Sequence, residues 1–137
     1  MTDECGACPT PTSKDWAGDK RTFVMLWGLP SGAILAAAFL GPIPRTIIWT
    51  VMLLWMGGAC VANARRCNRT HCRFTGPFLI LMAALVVGYA VGLLPLGRYG
   101  WDLLEGIIFA GSAILWWGSE RVLGLFTVGR KSFPRAF

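Results

Sequence analysis

Cysteine thiols and the single histidine are concentrated in a short stretch near the middle of this 137-residue chain. Cys60, Cys67 and Cys72 lie within thirteen residues, and His71 directly precedes Cys72. Thiolate sulfur together with imidazole nitrogen favours soft or borderline metal ions such as Hg(II), Cu(I) and Zn(II). The pattern therefore predicts metal binding or thiol chemistry at this cluster.

The surroundings of the cluster strengthen this interpretation. Four arginines accompany it, and nearby positive charge lowers the pKa of a thiol and enriches the thiolate form: they are Arg65, Arg66, Arg69 and Arg73. Cys60 and Cys67 share a face if one helix continues through both, and His71 joins that face on the same condition. In the alternative interpretation, Cys60 is a small core residue, the arginines only orient the protein and His71 is solvated.

A second thiol pair, Cys5-Gly-Ala-Cys8, lies near the N-terminus. Two cysteines at this spacing can chelate one ion or form a local disulfide. The segment that joins them to the first apolar run is long enough to reach the central cluster. We therefore predict transfer of an ion between the two groups, with an incidental pair in a flexible tail as the alternative.

Two acidic residues, Asp102 and Glu105, lie at the start of the last apolar run. Carboxylates at that depth in a membrane are costly and are often functional, so they are candidates for a cation entry site. The same spacing is also typical of a helix N-terminal cap, which is the alternative interpretation.

Composition places the protein in a membrane. Hydrophobic residues make up 55% of the chain and charged residues 15%, whereas soluble domains are near a quarter charged. The basic residues lie at the ends of apolar runs and form no groove studded with aromatic residues. We therefore expect the lipid bilayer as a partner and no nucleic acid.

The apolar runs predict an all-α, polytopic membrane protein with a bundle of four transmembrane helices. Each run has about the length needed to cross the hydrocarbon core, and the runs cover residues 22–40, 46–63, 77–94 and 102–118. This transmembrane domain spans residues 22–120. A flexible tail that carries Cys5 and Cys8 precedes it over residues 1–21, and a basic tail follows over residues 121–137.

Proline and glycine predict where helices bend, start and pack. Pro30 should kink the first span. Gly76-Pro77 should open the third span, which leaves the Cys/His cluster in a loop before it. Small residues four apart allow helices to approach closely, and two such pairs are predicted to face other helices: Gly28 with Gly32 and Gly88 with Gly92.

The distribution of positive charge predicts the orientation. With four spans, eleven of the thirteen lysines and arginines lie on the side of both termini, and only Arg45 and Arg98 lie on the other. The positive-inside rule then places the termini and the central cluster in the cytoplasm, at the inner (plasma) membrane. Cytosolic thiols are kept reduced, so these cysteines are expected to be free for metal rather than joined in structural bridges.

A short chain with several spans and cysteine pairs near the membrane resembles the small mercury-resistance transport proteins. The resemblance lies in size, span number, cysteine content and the lack of a nucleotide-binding motif. It implies that cysteines relay the metal, which here concerns Cys5, Cys8, Cys60, Cys67 and Cys72. The chain departs from those proteins in having no cysteine in residues 22–40, where they carry a cysteine pair.

We therefore expect a carrier or binder of a soft heavy-metal ion, with mercury favoured over copper and zinc, and not an enzyme. Cys67 and Cys72 are the predicted main ligands, Cys60 is the membrane-side member, and His71 is an optional fourth ligand that zinc would recruit. A cytosolic thiol protein is the expected acceptor of the metal.

Two other functions remain open. The first is an accessory subunit of a larger membrane complex or homo-oligomer, with the Cys/His cluster as a structural metal clip. The second is a thiol–disulfide redox enzyme, which the predicted cytosolic position of the thiols disfavours.

The charge distribution supplies the first testable prediction. A reporter fused after Phe137 should be cytosolic, and a reporter inserted in residues 95–100 should lie outside the cell. Activity of paired cytosolic and periplasmic reporters measures both positions. A periplasmic C-terminus would contradict the orientation and would place the thiols in an oxidising compartment.

Overall fold

A computed structural model describes residues 16–67 and 69–123 and confirms the all-α prediction for them, with no β-strand in this part of the chain. The elements are α1 (Lys20–Phe23), a π-helical turn (Val24–Gly28), α2 (Leu29–Ala37), α3 (Pro42–Cys67), α4 (Thr70–Ala90) and α5 (Gly100–Leu123). The predictions for Cys5 and Cys8, and for most of the basic C-terminal tail, concern residues outside these ranges.

The first helical segment consists of α1, the π-helical turn and α2, which follow one another without a break over residues 20–37. Asp19 caps its start by accepting hydrogen bonds from the backbone N–H and the hydroxyl of Thr22. Pro30 has no N–H to donate to the preceding turn, and the N–H of Leu29 bonds to Val24 O, five residues back. The irregularity predicted at Pro30 thus takes the form of a widened turn, in which Trp27 is the buried residue.

A short turn joins α2 to α3. Pro42 is the first residue of α3, where a missing N–H costs nothing. The guanidinium of Arg45 donates to the carbonyls of Ala38 and Leu40 just after α2. A cation at this position satisfies unpaired carbonyls and complements the helix dipole.

Helices α3 and α4 form a tight hairpin, which differs from the prediction. The loop predicted between the second and third spans is wrong, because α3 continues to Cys67 and α4 begins at Thr70. Pro77 lies inside α4 rather than at its start. Consequently all four residues of the Cys/His cluster lie on helices, which hold side chains more rigidly than a loop does.

Glycines allow α3 and α4 to approach closely. A Cβ atom added at Gly57 would lie 2.8 Å from Ile80 Cγ1 and 3.1 Å from the carbonyl oxygen of Gly76. A Cβ atom added at Gly76 would lie 2.8 Å from Val61 Cγ2 and 3.3 Å from Cys60 Cβ. The distance from Gly76 to Cys60 shows that the backbone of α4 lies directly against Cys60.

The glycines predicted for helix packing have looser surroundings. A Cβ at Gly32 or Gly92 would meet no atom within 4 Å, and Gly92 has a φ of +79° in the turn after α4. At Gly28 it would meet only Val24 in the same helical segment, and at Gly88 only Leu94. Within the described chain, an added Cβ atom would instead crowd a neighbouring helix at Gly57, Gly76 and Gly111, in the last case 2.5 Å from Phe78 Cζ.

Two of the described helices, α3 and α4, are long and apolar enough to cross a membrane. Large apolar side chains also cover much of the outer surface, as lipid-facing residues would; the most exposed are Phe39, Val122, Leu93, Ile43 and Trp117. These observations support membrane association, and the arrangement of four spans stays a prediction.

The close approach of α3 and α4 can be tested at neighbouring glycines. Gly57→Ala should lower the free energy of unfolding by about 1–3 kcal/mol, because the new methyl group overpacks the hairpin. Gly58→Ala is the matched control, since its Cβ would meet no atom within 4 Å and alanine favours a helix. Denaturation in detergent measures both, and equal stability of the two variants would contradict the packing described here.

Candidate thiol and metal-binding site

Two free thiols meet where α3 packs against α4. Cys60 and Cys72 are buried, with exposed fractions of 1% and 0%, and neither is in a disulfide. Their side chains lie close enough to influence each other directly. The structure therefore pairs Cys72 with Cys60, whereas Cys67 and Cys72 were predicted as the main ligands.

Cys67 is the last residue of α3 and is also buried. It is disulfide-bonded in the structure, which differs from the expectation of reduced thiols throughout the cluster. In this state its sulfur is not available as a thiolate ligand. Because α3 ends at Cys67 and His71 belongs to α4, the condition for these two residues to share one helical face is not met.

Nitrogen donors hold each sulfur of the Cys60–Cys72 pair. The indole Nε1 of Trp27 donates to Cys60 Sγ at 3.1 Å. The amide Nδ2 of Asn63 lies 3.7 Å from Cys72 Sγ. The Asn63 Oδ1 accepts from the backbone N–H of Trp16 at 3.1 Å, and this contact fixes the orientation of the amide. Donors aimed at sulfur stabilise negative charge there, so the pair is suited to thiolate chemistry.

His71 connects the thiol pair to a carboxylate. Its ring is fully buried and stacks on Trp116 with a centroid distance of 4.0 Å and an interplanar angle of 7°. The Nδ1 atom lies 2.6 Å from Glu120 Oε1, and Nε2 lies 3.2 Å from Cys72 Sγ. A proton on Nδ1 satisfies Glu120 and leaves the Nε2 lone pair to accept from the thiol. The alternative of a solvated loop histidine is therefore excluded.

The contacts form a continuous path from the thiol pair to the edge of the bundle. The path runs from Cys60 through Cys72 and His71 to Glu120, whose side chain is 19% exposed and lies 3.4 Å from Arg69 Nη2. A thiol, a base and a carboxylate that orients the base are the groups that generate a reactive thiolate. The arrangement can thus pass a proton between the thiol pair and Glu120.

Cys60 and Cys72 line two different cavities. The apolar cavity, about 460 Å³, is lined by residues of the first helical segment, α3, α4 and α5, and includes Cys60. The basic pocket, about 260 Å³, is lined by Val61, Ala64, Arg65, Cys72, Arg73 and Pro77. Each cysteine of the pair therefore lines a different cavity.

The site offers two sulfur ligands to a metal ion. Within residues 16–67 and 69–123, no group of three or more His, Cys, Asp or Glu side chains is arranged to hold a metal. Both ring nitrogens of His71 already have partners, so its predicted role as a fourth ligand would require one of those contacts to break. Two sulfurs alone match an ion that accepts linear, two-coordinate binding.

Comparison of the chain with protein-family models, curated proteins and solved structures gave no match. The function must therefore be argued from the site itself.

Several residues of this site were not predicted from the sequence, namely Trp27, Asn63, Trp116 and Glu120. Asn63 and Glu120 carried a usable signal, because a polar or charged residue in an apolar helix needs a partner. The predicted cation entry site is separate from the thiols. Asp102 lies in the first turn of α5 and is exposed, Glu105 is half-buried, and neither lines a cavity described above.

The contact between His71 and Glu120 supplies the next prediction. Glu120→Ala should lower the free energy of unfolding by about 1–3 kcal/mol, because it leaves a buried ring N–H of His71 without an acceptor. Glu105→Ala removes an acid from the same helix and should change stability by less than about 0.5 kcal/mol. Detergent denaturation compares the two variants. Equal losses would show that Glu120 does not support His71.

Proposed function

We propose that this protein binds a soft metal ion between Cys60 and Cys72 and carries it in the inner membrane. One observation supports the proposal above the others: two buried free thiols lie close together across the α3–α4 hairpin. Thiolate sulfur selects soft ions, and Hg(II) and Cu(I) accept two sulfurs. Mercury is the favoured ion, in line with the class that the sequence resembles.

The groups around the sulfurs support a metal site. Outer groups that hydrogen-bond to ligands commonly fix the ligands in place and tune the metal. Here the indole of Trp27 and the amide of Asn63 hold the two sulfurs, and His71 contacts Cys72. These contacts keep both sulfurs at the interface of α3 and α4, where a bridging ion would bind.

The choice of metal follows from the ligand number. Structural zinc sites normally use four ligands, whereas only two sulfurs are free at this position. His71 would have to leave Glu120 or Cys72 to join them. The proposed order of preference is therefore mercury or copper(I) before zinc.

The two cavities support movement of the ion as well as storage. An ion on Cys72 borders the basic pocket, and an ion on Cys60 borders the apolar cavity. Exchange between neighbouring thiolates moves a soft ion without releasing it free. In this proposal both termini are cytoplasmic, and a cytosolic thiol protein or the Cys5–Cys8 pair, outside the described residues, exchanges ions with the site.

A second candidate function is thiol–disulfide exchange. The observation that favours it is a disulfide at Cys67 on the same helix that carries the free thiol of Cys60. Exchange proceeds by attack of a thiolate on a disulfide sulfur, and the site is built to form a thiolate. The accessory-subunit alternative needs neither reaction, because it gives the Cys/His cluster the structural role of a metal clip.

A variant with only two cysteines tests metal binding directly. With Cys5, Cys8 and Cys67 changed to serine, the remaining Cys60–Cys72 pair should bind about one Hg(II) per chain through two sulfurs. A further Cys60→Ser or Cys72→Ser change should weaken binding by more than about 100-fold, since loss of an outer-shell contact alone costs 10- to 100-fold. Thiolate-to-mercury absorbance and X-ray absorption measure number and type of ligands.

His71 provides the control for the choice of metal. His71→Ala in the two-cysteine variant should leave the number of bound Hg(II) ions unchanged, and it should weaken zinc binding. If the two-cysteine variant is folded but binds no more mercury than a cysteine-free protein, the metal proposal fails. Accumulation of a Cys60–Cys72 disulfide during reduction of an added disulfide substrate would then favour the redox alternative.

A further inference from the structure

The basic pocket on the Cys72 side has the chemistry of a binding site. Cys72 belongs to its lining and is fully buried, whereas Arg65 and Arg73 carry exposed side chains. The two arginines come from different helices, the end of α3 and the first turns of α4. The hairpin therefore brings two guanidinium groups and one thiol to a single pocket.

The two guanidinium groups are available to an incoming anion. The ion pairs among the described residues involve Arg69, His71 and Glu120. Neither Arg65 nor Arg73 thus pairs with a described carboxylate. An arginine presents a planar fork of N–H donors that binds a carboxylate through two parallel hydrogen bonds. Two such forks beside a thiol match a ligand that carries both carboxylates and a sulfur-bound metal.

Soft metal ions in a reducing compartment meet small thiols first, because glutathione dominates the thiol pool there. Such thiols carry carboxylates, so their metal complexes are anionic. We propose that the basic pocket receives the metal as a complex of a small, carboxylate-bearing thiol and transfers it to Cys72. This inference rests on the proposed function and names the form in which the site takes its substrate.

The transfer proceeds by ligand exchange without oxidation or reduction. In the first step the Cys72 sulfur forms a bond to Hg(II), one bond from mercury to the small thiol breaks, and the Cys72 proton leaves with the displaced thiol. In the second step Cys60 forms the second bond and its proton leaves with the other small thiol. The product is a Cys60–Hg–Cys72 bridge with two free small thiols, and mercury stays in the +2 state.

The pocket must open for the first step, because Cys72 has no exposed surface. Among the lining residues, Arg65 and Arg73 have long, exposed side chains, which change rotamer on a fast timescale. Binding of the carboxylates by these two side chains would draw them outward. Docking and access to the thiol are coupled in this way.

The experiment compares two mercury donors with the full-length protein in detergent. Hg(II) is supplied as its glutathione complex, which is anionic, or as its 2-mercaptoethanol complex, which carries no carboxylate. The rate of transfer is followed by absorbance of the protein-bound mercury thiolate. Arg65→Gln with Arg73→Gln should slow transfer from the glutathione complex by about tenfold or more, and it should leave transfer from the 2-mercaptoethanol complex unchanged.

Arg66→Gln is the matched control. It removes the same charge from the neighbouring position, but Arg66 does not line the pocket and its guanidinium lies 4.6 Å above the ring of Trp16. Transfer from both donors should stay at the parent rate in this variant. With the parent protein, added salt should slow transfer from the glutathione complex alone, which tests the same electrostatic step without any substitution.

The outcomes separate this inference from the proposed function. The inference is wrong if the double variant and the parent take mercury equally fast from the glutathione complex. It is also wrong if the double variant takes mercury more slowly from both complexes by the same factor, because the basic pocket then does not select the donor. The metal proposal stands in that case, provided that the final amount of bound mercury is unchanged. If the parent protein binds mercury from neither donor nor from mercuric chloride, both proposals fail.

Discussion

The close contact of α3 with α4 at Gly57 and Gly76 is the constraint on which the candidate site depends. A side chain at either position would push the helices apart, because even a methyl group would lie 2.8 Å from its neighbour. Separation of the helices would also move Cys60 away from Cys72. The chemistry of the site thus depends on two residues that have no side chain.

The polar network follows from burial in an apolar bundle. A polar group away from water is costly unless it is hydrogen-bonded. Asn63 and His71 meet this requirement through contacts with Cys72. Glu120 meets it through its contact with His71. The hydrogen bonds that satisfy these buried groups therefore also help to position the thiols.

The sequence predicts the helical class and the cluster of candidate ligands, but not which ligands meet. Hydrophobic runs report helices well, whereas Gly76-Pro77 is compatible with a helix start and with a helix interior, and the structure has the second. The true hairpin turn lies between Cys67 and Thr70, which moves His71 and Cys72 from a loop to a helix. Pairing of Cys72 with Cys60, and of His71 with Glu120, depends on how the helices pack, and no local pattern encodes that.

The distance along the chain between the members of the site has a consequence for assembly. Cys60 and Cys72 belong to one helical hairpin, so their contact closes only a short loop, and local contacts form fastest. The side chains that enclose them come from farther away, since Trp27 is 33 residues from Cys60 and Glu120 is 49 residues from His71. We infer that the thiols meet while the nascent bundle is still open, and that the first helical segment and α5 close over a pair already formed.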